Sequence, residues 1–169
     1  MAKESLVLTG FMGVGKSTVG PRVSDALGIK YYDTDEWLET EAGIDIPQLV
    51  KSDMQAFRNL EAEALEEILN QEPGIISTGG GIVSTENGRK ALQATNAPVV
   101  WLRASFDDSA RRVAQDEGRE RPLFADKVKA LELFNERTEW YMETSDHVVD
   151  ASQPVELVVG DIVKIAQPE

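Results

Sequence analysis

Gly10-Phe11-Met12-Gly13-Val14-Gly15-Lys16-Ser17 fits the pattern G-x-x-x-x-G-K-[ST] at every defined position. The flanking residues decide how that match is read. Ser5 to Thr9, just before it, is a short apolar run that reads as a buried strand. Just after it, Val19, Val23 and Leu27 recur at helical spacing, and Gly28 is placed as a stop signal. Strand, glycine loop and helix in this order form the context in which the pattern binds phosphate. A glycine-rich turn that bound nothing would have no use for Lys16 and Ser17 after its last glycine.

Each residue type has a task. Gly10, Gly13 and Gly15 allow positive φ and a close backbone approach to phosphate oxygens, because no Cβ intervenes. The loop N–H groups of Gly13, Val14 and Gly15, and those of Lys16, Ser17 and Thr18 at the helix start, supply donors and a positive dipole end. Lys16 adds a full charge that reaches the β- and γ-phosphates, and the Ser17 hydroxyl suits a Mg²⁺ ion.

The bulk composition narrows the rest. The chain has 169 residues, enough for one α/β domain with a real core. It is 41% hydrophobic and 28% charged, which argues against large-scale disorder. Its formal charge of −13 disfavours nucleic-acid and anionic-membrane partners. There are no cysteines, so thiolate metal sites, cysteine nucleophiles and disulfides are excluded. No apolar run reaches transmembrane length and no signal peptide precedes the first strand, so a soluble cytoplasmic protein is expected.

Four further strands are expected at 30–33, 74–77, 98–102 and 147–150, with helical stretches between them. That alternation predicts a parallel sheet covered by helices on both faces. Phe57, Leu60, Ala64, Leu65, Ile68 and Leu69 mark one amphipathic helix, and Glu36 to Ser52 reads as a short helical excursion before it. Pro154 to Ala166 carries an apolar stripe and closes the fold. Gly20-Pro21 falls inside the helix after the glycine loop, which predicts a kink or an irregular first turn. The single His147, with no partner histidine or cysteine, reads as structural.

Several further groups share the carboxyl edge of the expected sheet, where open α/β folds bind ligands. Asp33-Thr34-Asp35 ends the second strand, so one carboxylate can face a metal and the other an acceptor substrate. A helix N-cap at Asp35 is the plainer reading. Gly79-Gly80-Gly81 follows the third strand and suggests close backbone approach. Arg58 and Glu61 stand at i and i+3 on one helix face, as a surface ion pair or as a carboxylate-binding arginine with its partner. Arg111, Arg112, Arg119 and Arg121 fall in a polar stretch that resembles a charged cover over reacting phosphates.

The order of these pieces resembles the shikimate kinase family over nearly the whole chain. It runs from Gly10–Ser17 through Asp33 and Asp35, Phe57-Arg58 with Glu61, and Gly79–Gly81, to Arg121-Pro122-Leu123 and Arg137 before Tyr141. The resemblance implies a three-layer α-β-α P-loop NTPase fold of the nucleoside-monophosphate-kinase type. Its sheet would have five parallel strands in the order 2-3-1-4-5. The whole chain, 1–169, would be one kinase domain with its core at about 1–34, 70–111 and 127–169. A substrate-binding helical insert would span about 35–62 and a mobile lid about 112–126. The implied reaction moves the ATP γ-phosphate to the 3-hydroxyl of shikimate on the route to chorismate and the aromatic amino acids.

The resemblance also implies a role for each matching residue. Lys16 contacts the phosphates, with Gly13, Val14, Gly15, Ser17 and Thr18 completing the ATP loop. Ser17 and Asp33 hold Mg²⁺, and Asp35 orients or deprotonates the acceptor hydroxyl. Arg58 and Arg137 clamp the shikimate carboxylate, Glu61 steadies Arg58, and the Gly79, Gly80 and Gly81 backbone lines the same pocket. Arg121 reaches the transferring phosphate from the lid, and Arg112 lies near the adenine. The chain departs from the family pattern at Ser52–Gln55 and after Asp150, where Ala151 to Pro154 leaves adenine to backbone groups or Gln153. A monomer is the default for this fold. A gluconate-type sugar-acid kinase would not be expected to keep Arg58, Arg137 and the triple glycine, and an idle nucleotide-binding protein should have lost Lys16, Asp35, Arg58 or Arg121.

Overall fold

Strand β1, Leu6–Thr9, is buried at every residue and forms the middle of the molecule in the computed structural model, which describes residues 4–115 and 122–167. Four apolar or β-branched residues in a row suit a strand covered on both faces. Its neighbours are β3, Gly74–Ser77, and β4, Val99–Arg103, both parallel to it. β2, Lys30–Asp33, pairs with β3, and β5, His147–Asp150, pairs with β4. The order is β2-β3-β1-β4-β5, as expected. Registers such as Leu8 opposite Ser77 and Thr9 opposite Trp101 bring the carboxyl ends of the three central strands level. β5 is the exposed edge, and His147 is exposed at its start.

Helix α1, Lys16–Leu27, starts directly from the glycine loop and ends at Gly28, whose φ of 63° closes it in the left-handed region. The expected irregularity is confined to the entry described by two bonds: Thr18 N–H and Val19 N–H both donate to Gly15 O, at 3.1 and 2.8 Å. Beyond them the helix continues unbroken through Pro21. Gly20 is explained by packing, since a Cβ there would collide with the Tyr31 ring on β2.

The expected single excursion is two helices: α2, Thr34–Thr40, and α3, Ile46–Ser52. Gly43, with φ of 66°, ends the path of the first. Asp45 then caps the second by accepting from Gln48 N–H at 3.1 Å, with Pro47 in its first turn. Asp53 separates α3 from α4, Met54–Leu69, and caps α4 by accepting from Ala56 N–H at 3.0 Å. Leu38, Phe57 and Ala64 form a small core of their own beneath these helices.

The remaining helices are α5, Glu86–Ala94, α6, Phe106–Gln115, α7, Lys127–Thr144, and α8, Val155–Ala166. α1 packs on α8, and α5 on both α4 and α7, so the sheet lies between two helical layers. Of the expected lid, Arg112 to Gln115 complete α6 and Pro122–Ala125 make a 3-10 turn. Among the described residues no helix is long and apolar enough to cross a membrane.

Candidate active site

The glycine loop, both aspartates, Gly79 and Gly80 line one cavity of about 480 Å³ at the carboxyl edge of the sheet, and Gly81 lies outside its lining. Gly13 and Gly15 take φ of 83° and 103°, values open to glycine and strained for other residues. A Cβ on Gly13 would also stand 2.6 Å from the Ser109 carbonyl of α6. Lys16 turns back over the loop, its Nζ donating to Gly10 O at 2.5 Å and to Phe11 O at 3.2 Å. Ser17 and Thr18 are exposed on the cavity wall. The loop thus offers one cation and two exposed hydroxyl residues at the N-terminus of α1, an arrangement suited to polyphosphate.

Arg112 ties this loop to the end of β5. Its Nη1 donates to Val14 O at 2.9 Å and its Nη2 to Ala151 O at 2.6 Å. Arg111 turns outward and pairs with Asp108 at 2.6 Å. Gln153 is held elsewhere: its Nε2 donates to Asp161 Oδ2 on α8 at 2.7 Å, and it does not line the cavity. Arg121 lies outside the described residues.

The two aspartates divide their work differently from the plainer sequence reading. Asp33, not Asp35, is the cap of α2, its Oδ1 accepting from Asp35 N–H at 2.9 Å and Glu36 N–H at 3.1 Å. The backbone geometry decides this, because Asp33 is still extended while Asp35 already sits in the first helical turn. Capping by Asp33 leaves the Asp35 carboxyl for the cavity. Burial pushes Asp35 up to about 7, with Glu61 and Asp33 adding to the effect and Lys16 and Arg58 opposing it. Its Oδ1 is buried with no hydrogen-bond partner. A buried acceptor of this kind is costly unless a ligand hydroxyl completes it.

Beyond Asp35 the charge pattern reverses. Arg58 Nη1 meets Glu61 Oε2 at 2.7 Å, and its guanidinium lies 5.3 Å from the Phe57 ring centroid. Arg137 enters from α7, 3% exposed, with its guanidinium 5.7 Å from the Phe11 ring centroid and its Nε lacking a partner. Burial pulls Arg137 down, and the positive charge of Arg58 adds to that against Tyr141 and Glu61. Burial also pushes Glu61 up against the pull of Arg58. Glu61 pairs with Arg58 alone while Arg137 adds a second positive charge nearby, and an anion from outside would relieve the repulsion of the two guanidiniums.

The glycines fit around these groups. A Cβ on Gly79 would strike Glu61 Oε1, and one on Gly81 would strike the Arg58 guanidinium. Gly79 N–H donates to Thr34 Oγ1 at 3.2 Å, which fixes the turn against α2. Sequence reasoning gave no role to an aromatic group at the loop: Phe11 is edge-on to Phe134 at 5.1 Å and to Phe124 at 6.0 Å. Tyr141 was likewise only a spacing marker, yet its hydroxyl donates to Gly80 O at 2.6 Å. The recurrence of Phe134, Arg137 and Tyr141 on one stripe of α7 was the available signal.

The family model for shikimate kinase matches residues 12–167. A shikimate kinase from Chromobacterium violaceum is 38% identical over 160 residues, which covers 92% of this chain and 86% of the relative. The fold is similar to the solved Acinetobacter baumannii shikimate kinase in complex with shikimate, with a TM-score of 0.84, 26% identity, and coverage of 96% of this chain and 92% of that one. The Aquifex aeolicus shikimate kinase structure aligns with a TM-score of 0.77 and 34% identity, covering 96% and 95%.

Proposed function

The chain belongs to the shikimate kinase family, and we infer that it transfers the γ-phosphate of ATP to the 3-hydroxyl of shikimate, giving ADP and shikimate 3-phosphate. One observation carries this reading. Asp35 shares its cavity with the phosphate loop and feels both Lys16 of that loop and the Arg58–Glu61 pair, so a phosphoryl donor and a carboxylate-bearing alcohol would meet at its carboxyl.

In this reading the loop backbone and Lys16 hold the phosphates, and Arg58 and Arg137 hold the shikimate carboxylate. Asp35 accepts from the attacking hydroxyl and orients it toward the γ-phosphorus. The O–P bond forms as the bond to the β-phosphate oxygen breaks, and the hydroxyl proton passes to Asp35. Phosphoryl transfer asks chiefly for positioning and cationic stabilisation, which this set of groups supplies. Arg121 and the Arg112 guanidinium are assigned to the nucleotide side.

A Mg²⁺ ion fits the donors at hand. Among the described residues no group of three or more histidine, cysteine or acidic side chains could cage a metal. The exposed Ser17 hydroxyl and Asp33, of which one oxygen serves the α2 cap, suit an ion that keeps waters and phosphate oxygens as its other ligands. Such an ion would neutralise charge on the β- and γ-phosphates. We further assign the enzyme to the cytoplasm, as a monomer on the route to chorismate.

The decisive experiment is coupled ADP release with ATP and Mg²⁺, comparing shikimate, quinate, gluconate and no acceptor. Turnover confined to shikimate supports the assignment. Turnover with gluconate, or hydrolysis without an acceptor, would overturn the roles of Arg58, Arg137 and the glycines.

A further inference from the structure

We propose that Tyr141 is a positioning residue for the acceptor's carboxylate, its hydroxyl locking the Gly80–Gly81 peptide and the Arg137 guanidinium into one fixed arrangement. The proposal rests on the shikimate kinase reading and adds a residue to it.

Two neighbours place the hydroxyl between the two halves of the anion pocket. It donates to Gly80 O at 2.6 Å. The peptides of the chain are all trans among the described residues, so fixing that carbonyl also fixes the Gly81 N–H on the opposite side of the peptide plane. Gly81 is the residue whose α-carbon faces the Arg58 guanidinium. On its other side the hydroxyl lies beside Arg137, one turn earlier on α7, and feels its charge. A single O–H group therefore donates to one half of the pocket and stands beside the charge of the other.

The ring itself is held rigidly. Tyr141 is 1% exposed and stacks on Trp101 of β4, with centroids 5.9 Å apart and planes 28° from parallel. Burial also raises the phenol well above its ordinary range, so it remains a donor across the working pH range. Arg137 has few other restraints: the Phe11 ring lies under it, and its Nε has no partner. An arginine already aimed at its ligand loses less side-chain entropy on binding, which appears as a lower KM for that ligand alone.

Tyr141→Phe keeps the ring and its stacking and removes only the hydroxyl. Loss of the hydroxyl frees the Gly80 carbonyl and removes the polar neighbour of Arg137, and is expected to raise KM for shikimate about tenfold. KM for ATP should move by less than about twofold, because the Tyr141 hydroxyl bonds to Gly80 and, among the described residues, to none of the phosphate loop. The methyl ester of shikimate, which lacks the charge that Arg137 receives, provides the second arm: its KM should be almost unaffected by the substitution. Wild-type turnover with shikimate tests the underlying reading separately. An equal rise in KM for ATP, an equal penalty with the ester, an unchanged KM for shikimate, or a variant that does not fold by circular dichroism would each overturn the proposal.

Discussion

Glu61 holds Arg58 by a 2.7 Å ion pair in which the carboxylate is 1% exposed and the guanidinium 14% exposed. The pair is therefore an interior support with one face turned to the pocket, and not the surface bridge that i, i+3 spacing alone allows. Glu61→Ala and Arg58→Ala should each weaken shikimate binding by about 2–3 kcal/mol, the cost of leaving one charge of such a pair without its partner. The double variant should lose little more than Arg58→Ala alone, since Glu61 acts through Arg58. KM values for shikimate and ATP across the four proteins check this; additive losses, or a matching loss in ATP, would contradict the support role.

Asp35 makes the protein's stability and activity depend on pH. In the unfolded chain its proton leaves near 3.8, and in the folded protein near 7. Between those values the folded state holds the extra proton, so this group's contribution to stability is complete below about pH 4 and is lost as pH rises toward 7. Asp35→Asn removes that loss. Its advantage over the wild type should grow from pH 4 to pH 8, up to roughly 4 kcal/mol. Glu61 shifts in the same direction, so the difference between the two melting profiles is the quantity to read. In the wild type, kcat/KM for shikimate should climb with pH to a midpoint near 7, because the accepting form of Asp35 is the ionised one. A parallel pair of melting profiles would remove the premise.

Most of the frame was legible in the chain. The three central strands were visible as short apolar or β-branched runs, as at Val99–Leu102 or Ile75–Ile76, and β2 and β5 as pairs of strand-forming residues, Tyr31-Tyr32 and Val148-Val149, ending in an aspartate. The candidate site residues on the sheet edge stood out for a different reason: Lys16, Asp35 and the three glycines are types that a plain strand-to-helix turn does not call for. What escaped was decided by tertiary contact. Whether Asp33 or Asp35 caps α2 depends on where the backbone turns helical, which composition leaves open. The division of the insert into α2 and α3 rests on one left-handed Gly43 and the Asp45 cap. Gln153 carries the right groups for adenine, yet Asp161 on α8 holds its amide. Phe11 occupies a variable position of the loop pattern and is spent on Phe134 and Arg137.

Lys16→Met tests the phosphate loop. The ammonium donates to Gly10 O and Phe11 O, so the substitution removes two hydrogen bonds of about 1 kcal/mol each along with the charge. The fold should survive that loss, as judged by an unchanged circular dichroism spectrum. Turnover should fall by about a thousandfold or more, because the charge stabilises the transferring phosphoryl group. Residual activity within tenfold of the wild type would be incompatible with the role given to Lys16.

Gly81→Ala separates backbone shape from charge at the same pocket. A Cβ at this position would collide with the Arg58 guanidinium, not with backbone. Arg58 is the flexible and partly exposed member of its pair, so it can move away while the buried Glu61 cannot follow. The relief of the collision therefore breaks the 2.7 Å contact and leaves the fold standing. Gly81→Ala should reproduce the shikimate KM of Arg58→Ala to within about threefold, with the ATP loop unaffected. It should also cost stability, because Glu61 would remain buried without its partner, by about 2 kcal/mol in chemical denaturation. Wild-type affinity in this variant would show that Arg58 does not need its present position to receive the acceptor, and the glycine would then have to be explained by the nucleotide or by folding instead.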